Sequence, residues 1–261
     1  MIDLYIDGQA VRTEEGKTIL AVARDAGIHI PTLCYHDALS PAGACRLCIV
    51  EVHLEGEAQS RLTSSCNSLV KDGMKVLTHS ERVLEARQRA VEHLLKKAAK
   101  SKVIQEIAME VGVERAPDTF GEDSNCILCR LCVRACREAI GADALKLIPK
   151  RDKKEPYIQF SAESCIGCAA CFLLCPTGFI KMEEIDGQRI IWGTAFRMKK
   201  CSRCGVFTTT EAHWNYLEER AGASAQFNMA KDMCLACRRD SISSELLDLR
   251  QGSSSPLFET L

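Results

Sequence analysis

The sixteen cysteines of this 261-residue chain constrain it more than any other feature. They fall into four sets of four with none left over: Cys34, Cys45, Cys48 and Cys66; Cys126, Cys129, Cys132 and Cys136; Cys165, Cys168, Cys171 and Cys175; and Cys201, Cys204, Cys234 and Cys237. Tetrahedral iron and zinc each take four thiolates, so this division is what four metal sites require. Disulfide scaffolds rarely repeat C-x-x-C, because residues so close pair only with strain. Residues 1–7 have no basic n-region and no continuous apolar core, so they do not read as a secretory signal. No apolar run approaches a membrane span; the stretch around Phe172 and Leu174 is cut by Cys175-Pro176. With this cysteine content, those features lead us to expect a soluble, cytoplasmic chain whose cysteines are metal-bound thiolates. The formal net charge of −1 gives no basic excess, so no nucleic-acid partner is expected.

The second and third sets form an internal repeat, C-I-x-C-x-x-C-x-x-x-C, in which Ile127 matches Ile166. This spacing is specific to paired [4Fe–4S] centres, where three thiolates of each motif hold one cluster and the fourth crosses to the other. Cys126, Cys129, Cys132 and Cys175 are the expected ligands of one [4Fe–4S]; Cys165, Cys168, Cys171 and Cys136 are those of the second. The second motif ends in Cys175-Pro176, whereas the first ends in Cys136-Arg137. Arg130, Arg134 and Arg137 recur around the first motif. A solvated basic face is the expectation there, and a rim that docks an acidic partner or raises the cluster potential is the alternative.

The first set fits a plant-type [2Fe–2S] centre, with Cys34, Cys45 and Cys48 on one loop and Cys66 as the distant fourth ligand. Ala42-Gly43-Ala44 is small enough to let the backbone approach the cluster. A Rieske centre is rejected: Cys34-x-His36 gives half its signature, but Cys45-x-x-Cys48 stands where C-x-x-H is needed. His36 is then a surface histidine. The last set, two C-x-x-C knuckles, suits zinc, with a third [4Fe–4S] as the alternative. His213 and Trp214, between these knuckles, are expected to pack rather than ligate.

The rest of the pattern suggests an α+β chain. Residues 1–79 read as a β-grasp [2Fe–2S] ferredoxin domain. There Ile2, Leu4 and Ile6 alternate, Asp7-Gly8 turns into Gln9–Arg12, and Thr18 caps a helix ending at Gly27; Cys48–Leu54, which alternates apolar and polar residues, and Met74–Leu77 form strands. Residues 80–118 read as a helical connector whose apolar residues recur at three- and four-residue steps and pack on neighbouring domains. Residues 119–188 read as a two-[4Fe–4S] bacterial-ferredoxin-like domain, with a charged turn at Arg151–Pro156 and a strand at Tyr157–Phe160. Residues 189–261 read as a four-cysteine metal-knuckle region with a loose tail from Gly252.

P-T-L-C at Pro31–Cys34, G-A-C-R-L-C-I-V-E-V at Gly43–Val52, and N-C-I-L-C-R-L-C-V-R-A-C at Asn125–Cys136 carry a family resemblance. The C-x10-C-x2-C spacing of the first set belongs to the same pattern. Residues 1 to about 185 resemble the N-terminal part of the complex I 75-kDa-type subunit. They also resemble the diaphorase iron–sulfur subunits of NAD-linked hydrogenases and formate dehydrogenases. That family usually holds a further [4Fe–4S] on one histidine and three cysteines between the two domains. Here residues 80–125 contain His93 and no cysteine, so that cluster is expected to be missing.

The resemblance implies an electron-relay subunit of a multisubunit NADH-linked oxidoreductase. The chain has no G-x-G-x-x-G, P-loop or evident flavin site. A flavoprotein of the NADH dehydrogenase type is the expected electron partner, with a catalytic oxidoreductase subunit or ferredoxin on the other side; electron bifurcation stays open. The alternatives are a fumarate reductase/succinate dehydrogenase-type iron–sulfur subunit, against which the long Cys34–Cys45 loop argues, and a non-redox zinc-dependent interaction protein.

Overall fold

The computed structural model describes residues 1–113, 125–149, 155–221, 232–241 and 243. The Gly121–Asn125 lead into the first motif, the Arg151–Pro156 turn and the tail from Gly252 lie wholly or mostly outside the described residues. Two compact units are present: residues 1–164 with 170–181, and residues 165–169 with 182–261.

The first unit opens with the hairpin β1 (Ile2–Ile6) and β2 (Gln9–Thr13). Asp7 and Gly8 both take positive φ, which matches the twist of a two-residue turn to its strands. Helix α1 (Ile19–Asp25) is capped by the Thr18 hydroxyl, which accepts from the Ala21 N–H. Strands β3 (Ile49–His53), β4 (Arg61–Ser64) and β5 (Lys75–Leu77) complete a mixed sheet in the order β2-β1-β5-β3-β4. Only the β1–β5 pair is parallel. Leu4, Ile6, Val50, Val52 and Val76 point to one face, and Ile19, Leu20 and Val22 of α1 fill it.

The alternation read into β3 differs in the fold. Glu51 is as buried as its apolar neighbours, because helix α2 (Glu81–Ala98) covers the other face. Its carboxylate accepts from Ser60 Oγ (2.5 Å), Ser80 Oγ (2.5 Å) and Arg82 Nη1 (2.6 Å). Ser80 is also the N-cap of α2. A buried carboxylate thus ties the sheet to the start of the connector.

Helix α3 (Lys102–Glu110) packs beside α2, and a second core gathers Val91, Leu95 and Ile104 of these helices. That core also takes in Cys34, Cys45 and Leu47 from the first cysteine loop, and Ile127, Cys129 and Leu131 from the next motif. The connector therefore packs against both. Helix α4 (Leu131–Arg134) continues as a π-helical segment, Ala135–Ile140. The hairpin β6 (Leu145–Ile148) and β7 (Tyr157–Phe160) and helix α5 (Ala170–Leu173) complete the first unit.

The second unit is a four-stranded antiparallel sheet, β11-β10-β9-β8. It comprises β8 (Met182–Ile185), β9 (Gln188–Ile191), β10 (Thr194–Lys200) and β11 (Phe207–Thr210), with helix α6 (Glu211–Ala221) following. Among the described residues, no helix is long and apolar enough to cross a membrane.

Candidate metal centres

The first set lies at the edge of the five-stranded sheet. Cys34 and Cys45 sit on the long loop between α1 and β3, Cys48 just before β3, and Cys66 just after β4; all four are buried. They meet as two pairs, with one sulfur–sulfur hydrogen bond between Cys34 and Cys45 and another between Cys48 and Cys66. Two thiolates on each of two irons is the ligand arrangement of a [2Fe–2S] centre, so the donor set fits that group. Within each pair one thiol gains at the other's expense. Cys34 falls to about 5 and Cys48 to about 6 through these hydrogen bonds, while the same bonds push Cys45 and Cys66 up.

Backbone donors converge on the same sulfurs. The N–H groups of Ala44 and Cys45 point to Cys34, with Cys45 N at 3.4 Å, and that of Gly43 points to Cys66. Gly43 has φ +58°, and an added Cβ would lie 3.1 Å from Asn67 Nδ2. Glycine there gives the loop both its turn and its close approach.

Two buried arginines brace this loop from either side. Arg87 of α2 donates from Nε to the Leu47 carbonyl (3.0 Å) and from Nη2 to that of Ile49 (2.9 Å), on both sides of Cys48. Arg134 of α4 donates from Nη2 to the Cys34 carbonyl (2.5 Å) and from Nη1 to that of Ser40. Arg130 reaches the Ala42 carbonyl (2.7 Å). The solvated face expected of Arg130, Arg134 and Arg137 is therefore corrected. Arg134 is buried and Arg130 half-buried against the first cysteine loop; Arg137 alone is exposed. Helical spacing shows which residues share a side, but not which long-range loop that side meets. Arg87 was missed altogether, since its position reads as one more charge on an amphipathic helix. His36 is exposed, as expected, and its Nδ1 accepts from the Ala38 N–H.

In the first repeat motif, Leu128 and Arg130 both take positive φ (+54° and +62°). That conformation turns the Leu128 N–H back to Cys126, and Cys129 likewise accepts from the Leu131 N–H. Cys136 Sγ accepts from Ala144 N at 3.2 Å. Burial pushes up the thiols of Cys126, Cys129 (to about 11) and Cys132, so loading a metal there must release protons. Cys175 follows α5 in the same unit, close enough to act electrostatically on Cys126 and Cys129.

The second motif repeats this backbone pattern. Gly167 and Ala169 take φ +66° and +67° at the positions of Leu128 and Arg130, and Gly167 N donates to Cys165 Sγ (3.5 Å). Residues 165–169 are gripped by the four-stranded sheet. Arg189 Nη1 donates to the Gly167 carbonyl (2.9 Å) and Thr210 Oγ1 to that of Ile166 (2.5 Å). Arg189 is itself held by Glu184.

The last set also comes together. The sulfurs of Cys201, Cys204, Cys234 and Cys237 all lie within 4.8 Å of one another. His213 does not join them: its Nδ1 pairs with Thr209 Oγ1 at 2.7 Å, and Trp214 stacks under Lys199.

Residues 1–81 match the family described as "2Fe-2S iron-sulfur cluster binding domain", and residues 120–182 match "4Fe-4S dicluster domain". An NADH-quinone oxidoreductase chain of Rhizobium meliloti is 30% identical over 234 residues, covering 79% of this chain and 27% of the relative. The chain resembles iron–sulfur electron-transfer subunits of NADH-linked complexes. A further relative, the NADP-reducing hydrogenase subunit HndD of Solidesulfovibrio fructosivorans, is 29% identical over 92% of this chain and 45% of its own length. NADPH-Fe(3+) oxidoreductase subunit alpha of Geobacter sulfurreducens is 28% identical over 82% and 28%. The chain thus spans about a quarter to just under half of these curated relatives. Among solved structures, a chain of an NAD+-reducing [NiFe]-hydrogenase in the H2-reduced state superposes with a TM-score of 0.51 at 25% identity. It covers 62% of this chain and 76% of that one.

Proposed function

We propose that this chain is a non-catalytic electron-relay subunit of a multisubunit NADH-linked oxidoreductase. In this reading it passes electrons between a flavoprotein of the NADH dehydrogenase type and a catalytic or ferredoxin-linked partner. The observation that carries the reading is the shared core in which Cys34 and Cys45 pack with Cys129 through Leu47, Ile127 and Leu131. A relay needs its centres close together and shielded from water, and this core supplies both for the first two. The flavin is needed because NADH gives up two electrons as hydride, whereas each cluster takes one.

In the same proposal, residues 1–79 are a β-grasp [2Fe–2S] domain on Cys34, Cys45, Cys48 and Cys66. Residues 80–118 are the connector, and residues 119–188 hold two [4Fe–4S] centres. One uses Cys126, Cys129, Cys132 and Cys175; the other uses Cys165, Cys168, Cys171 and Cys136. Residues 189–261 carry a further metal on the last four cysteines. So many thiolate ligands suit a reducing compartment, the cytoplasm.

The test is anaerobic purification of the tagged protein from its own cell, followed by visible absorbance while NADH is added. Bleaching by NADH with flavin present, and a co-purifying diaphorase chain, is the expected result. Bleaching by dithionite but not by NADH, with the partners intact, overturns the NADH-linked reading. A colourless anaerobic preparation overturns the redox reading as a whole.

A further inference from the structure

The cysteine pattern leaves the last set open between one ion and a third cubane, and the geometry separates the two. Four thiolates on one tetrahedral ion, each at about 2.3 Å, stand about 3.8 Å apart. In a [4Fe–4S] centre the thiolates radiate from four irons at the corners of a cube, which sets their sulfurs roughly 6 Å apart. Here all four sulfurs fall within 4.8 Å of one another, and Cys204 and Cys234 are 3.7 Å apart. A cubane does not fit inside that set.

We infer that Cys201, Cys204, Cys234 and Cys237 hold a single tetrahedral zinc ion as a structural clamp. The backbone is arranged as two knuckles around one point. Cys234 N donates to Cys201 Sγ (3.2 Å) and Cys237 N to Cys234 Sγ (3.4 Å), while Gly205, at φ +73°, turns the first knuckle back under the site. Such N–H···S bonds offset thiolate charge around an ion that brings only two positive charges. The site also joins segments distant in sequence. Ser202 N donates to the Asp232 carbonyl (2.7 Å), Lys199 pairs with Asp232 (2.7 Å), and Arg203 reaches the Cys237 carbonyl (3.3 Å).

The need for a clamp follows from what surrounds it. Cys201 follows the β10 strand whose Phe196 lies against Gly167, and among the described residues the second unit buries few large apolar side chains. Small units with thin cores are held by metals or disulfides. A closed set of four thiolates with no open position is the form of structural zinc rather than of a catalytic ion.

The test is elemental analysis of the anaerobically purified full chain with its clusters in place, together with X-ray absorption at the zinc edge. The expected result is about one zinc per chain beside about ten irons, with four sulfur neighbours at about 2.3 Å. About fourteen irons and no zinc shows a third cubane and overturns the inference. One extra iron with a ferric tetrathiolate spectrum overturns the choice of zinc, as does zinc with nitrogen or oxygen neighbours. Cys204→Ser supplies a second readout at an exposed ligand. Zinc retention against a chelator should fall at least roughly tenfold while iron content stays unchanged; unchanged retention overturns the inference. Zinc is counted separately from NADH bleaching, so this inference and the relay reading can fail independently.

Discussion

Arg134 Nη2 donates to the carbonyl of Cys34 at 2.5 Å, joining a side chain from between two ligands of one motif to the backbone of another. Its Nη1 reaches Ser40, and Arg134 Nε has no hydrogen-bond partner among the described residues. The guanidinium is thus committed to the first cysteine loop, beside the [2Fe–2S] centre proposed there, which would become more negative on reduction. Arg134→Met should leave two carbonyls without donors and cost about 2–4 kcal/mol in urea denaturation. It should also make the [2Fe–2S] midpoint more negative, because a buried cation favours the reduced cluster. Arg134→Lys keeps the charge but not the fork, so it should retain most of the potential and lose about 1–2 kcal/mol. EPR-monitored redox titration of both variants checks this. A methionine variant with an unchanged midpoint would show that Arg134 acts on packing alone.

The same backbone turn is built from different residues in the two repeat motifs, and substitution should tell them apart. Gly167 has φ +66°, and an added Cβ would lie 2.8 Å from Phe196 Cγ and 2.9 Å from Thr210 Cγ2. Gly167→Ala should therefore cost about 2–4 kcal/mol, from strain in the left-handed region plus overpacking. Leu128 adopts φ +54° already carrying a side chain. Leu128→Gly relieves that strain at some cost in packing and chain entropy, and should stay within about 1 kcal/mol of the parent. Thermal unfolding of both variants, with iron content measured alongside, tests the asymmetry. Equal losses at the two positions would refute it.

Local features were legible in the sequence because their causes are local. The Asp7-Gly8 hairpin, the Thr18 cap and the start of α2 at Ser80 each depend on two to four consecutive residues. The last four cysteines were legible as a group because two C-x-x-C knuckles bring four thiolates to one point. What escaped depends on partners far along the chain. Glu51 reads as the outward residue of an alternating strand, yet α2 buries it. At Gly167, Phe196 and Thr210 fix the residue's identity as firmly as its dihedral does. Arg134 reads as part of a solvated face and Arg87 as one more charge on a helix, yet each, like Arg189, donates to a buried carbonyl beside a cysteine loop. Charged residues between ligands, as in C-V-R-A-C, are the one local sign that could have pointed to Arg134.

Glu51 gives the fold a pH dependence whose sign can be worked out. Hydrogen bonds from Ser60 first, then Ser80 and Arg82, hold its carboxyl below the ordinary value of 4.5. A depressed carboxyl stabilises the fold fully above the unfolded value, and that contribution is lost as pH falls through the folded value. Glu51→Gln removes the charge while keeping the shape. At neutral pH the variant should be less stable than the parent by about 1–3 kcal/mol, the range for hydrogen bonds to a charged group. Below the folded value the difference should shrink toward zero, because the parent's carboxyl is then protonated as well. Urea denaturation of parent and variant at matched pH values between neutrality and the acid limb measures that difference, and subtraction cancels the acid lability common to both proteins. A difference that stays constant down to the acid limb would mean that Glu51 contributes through shape alone, and that the tie between β3, β4 and α2 does not depend on its charge.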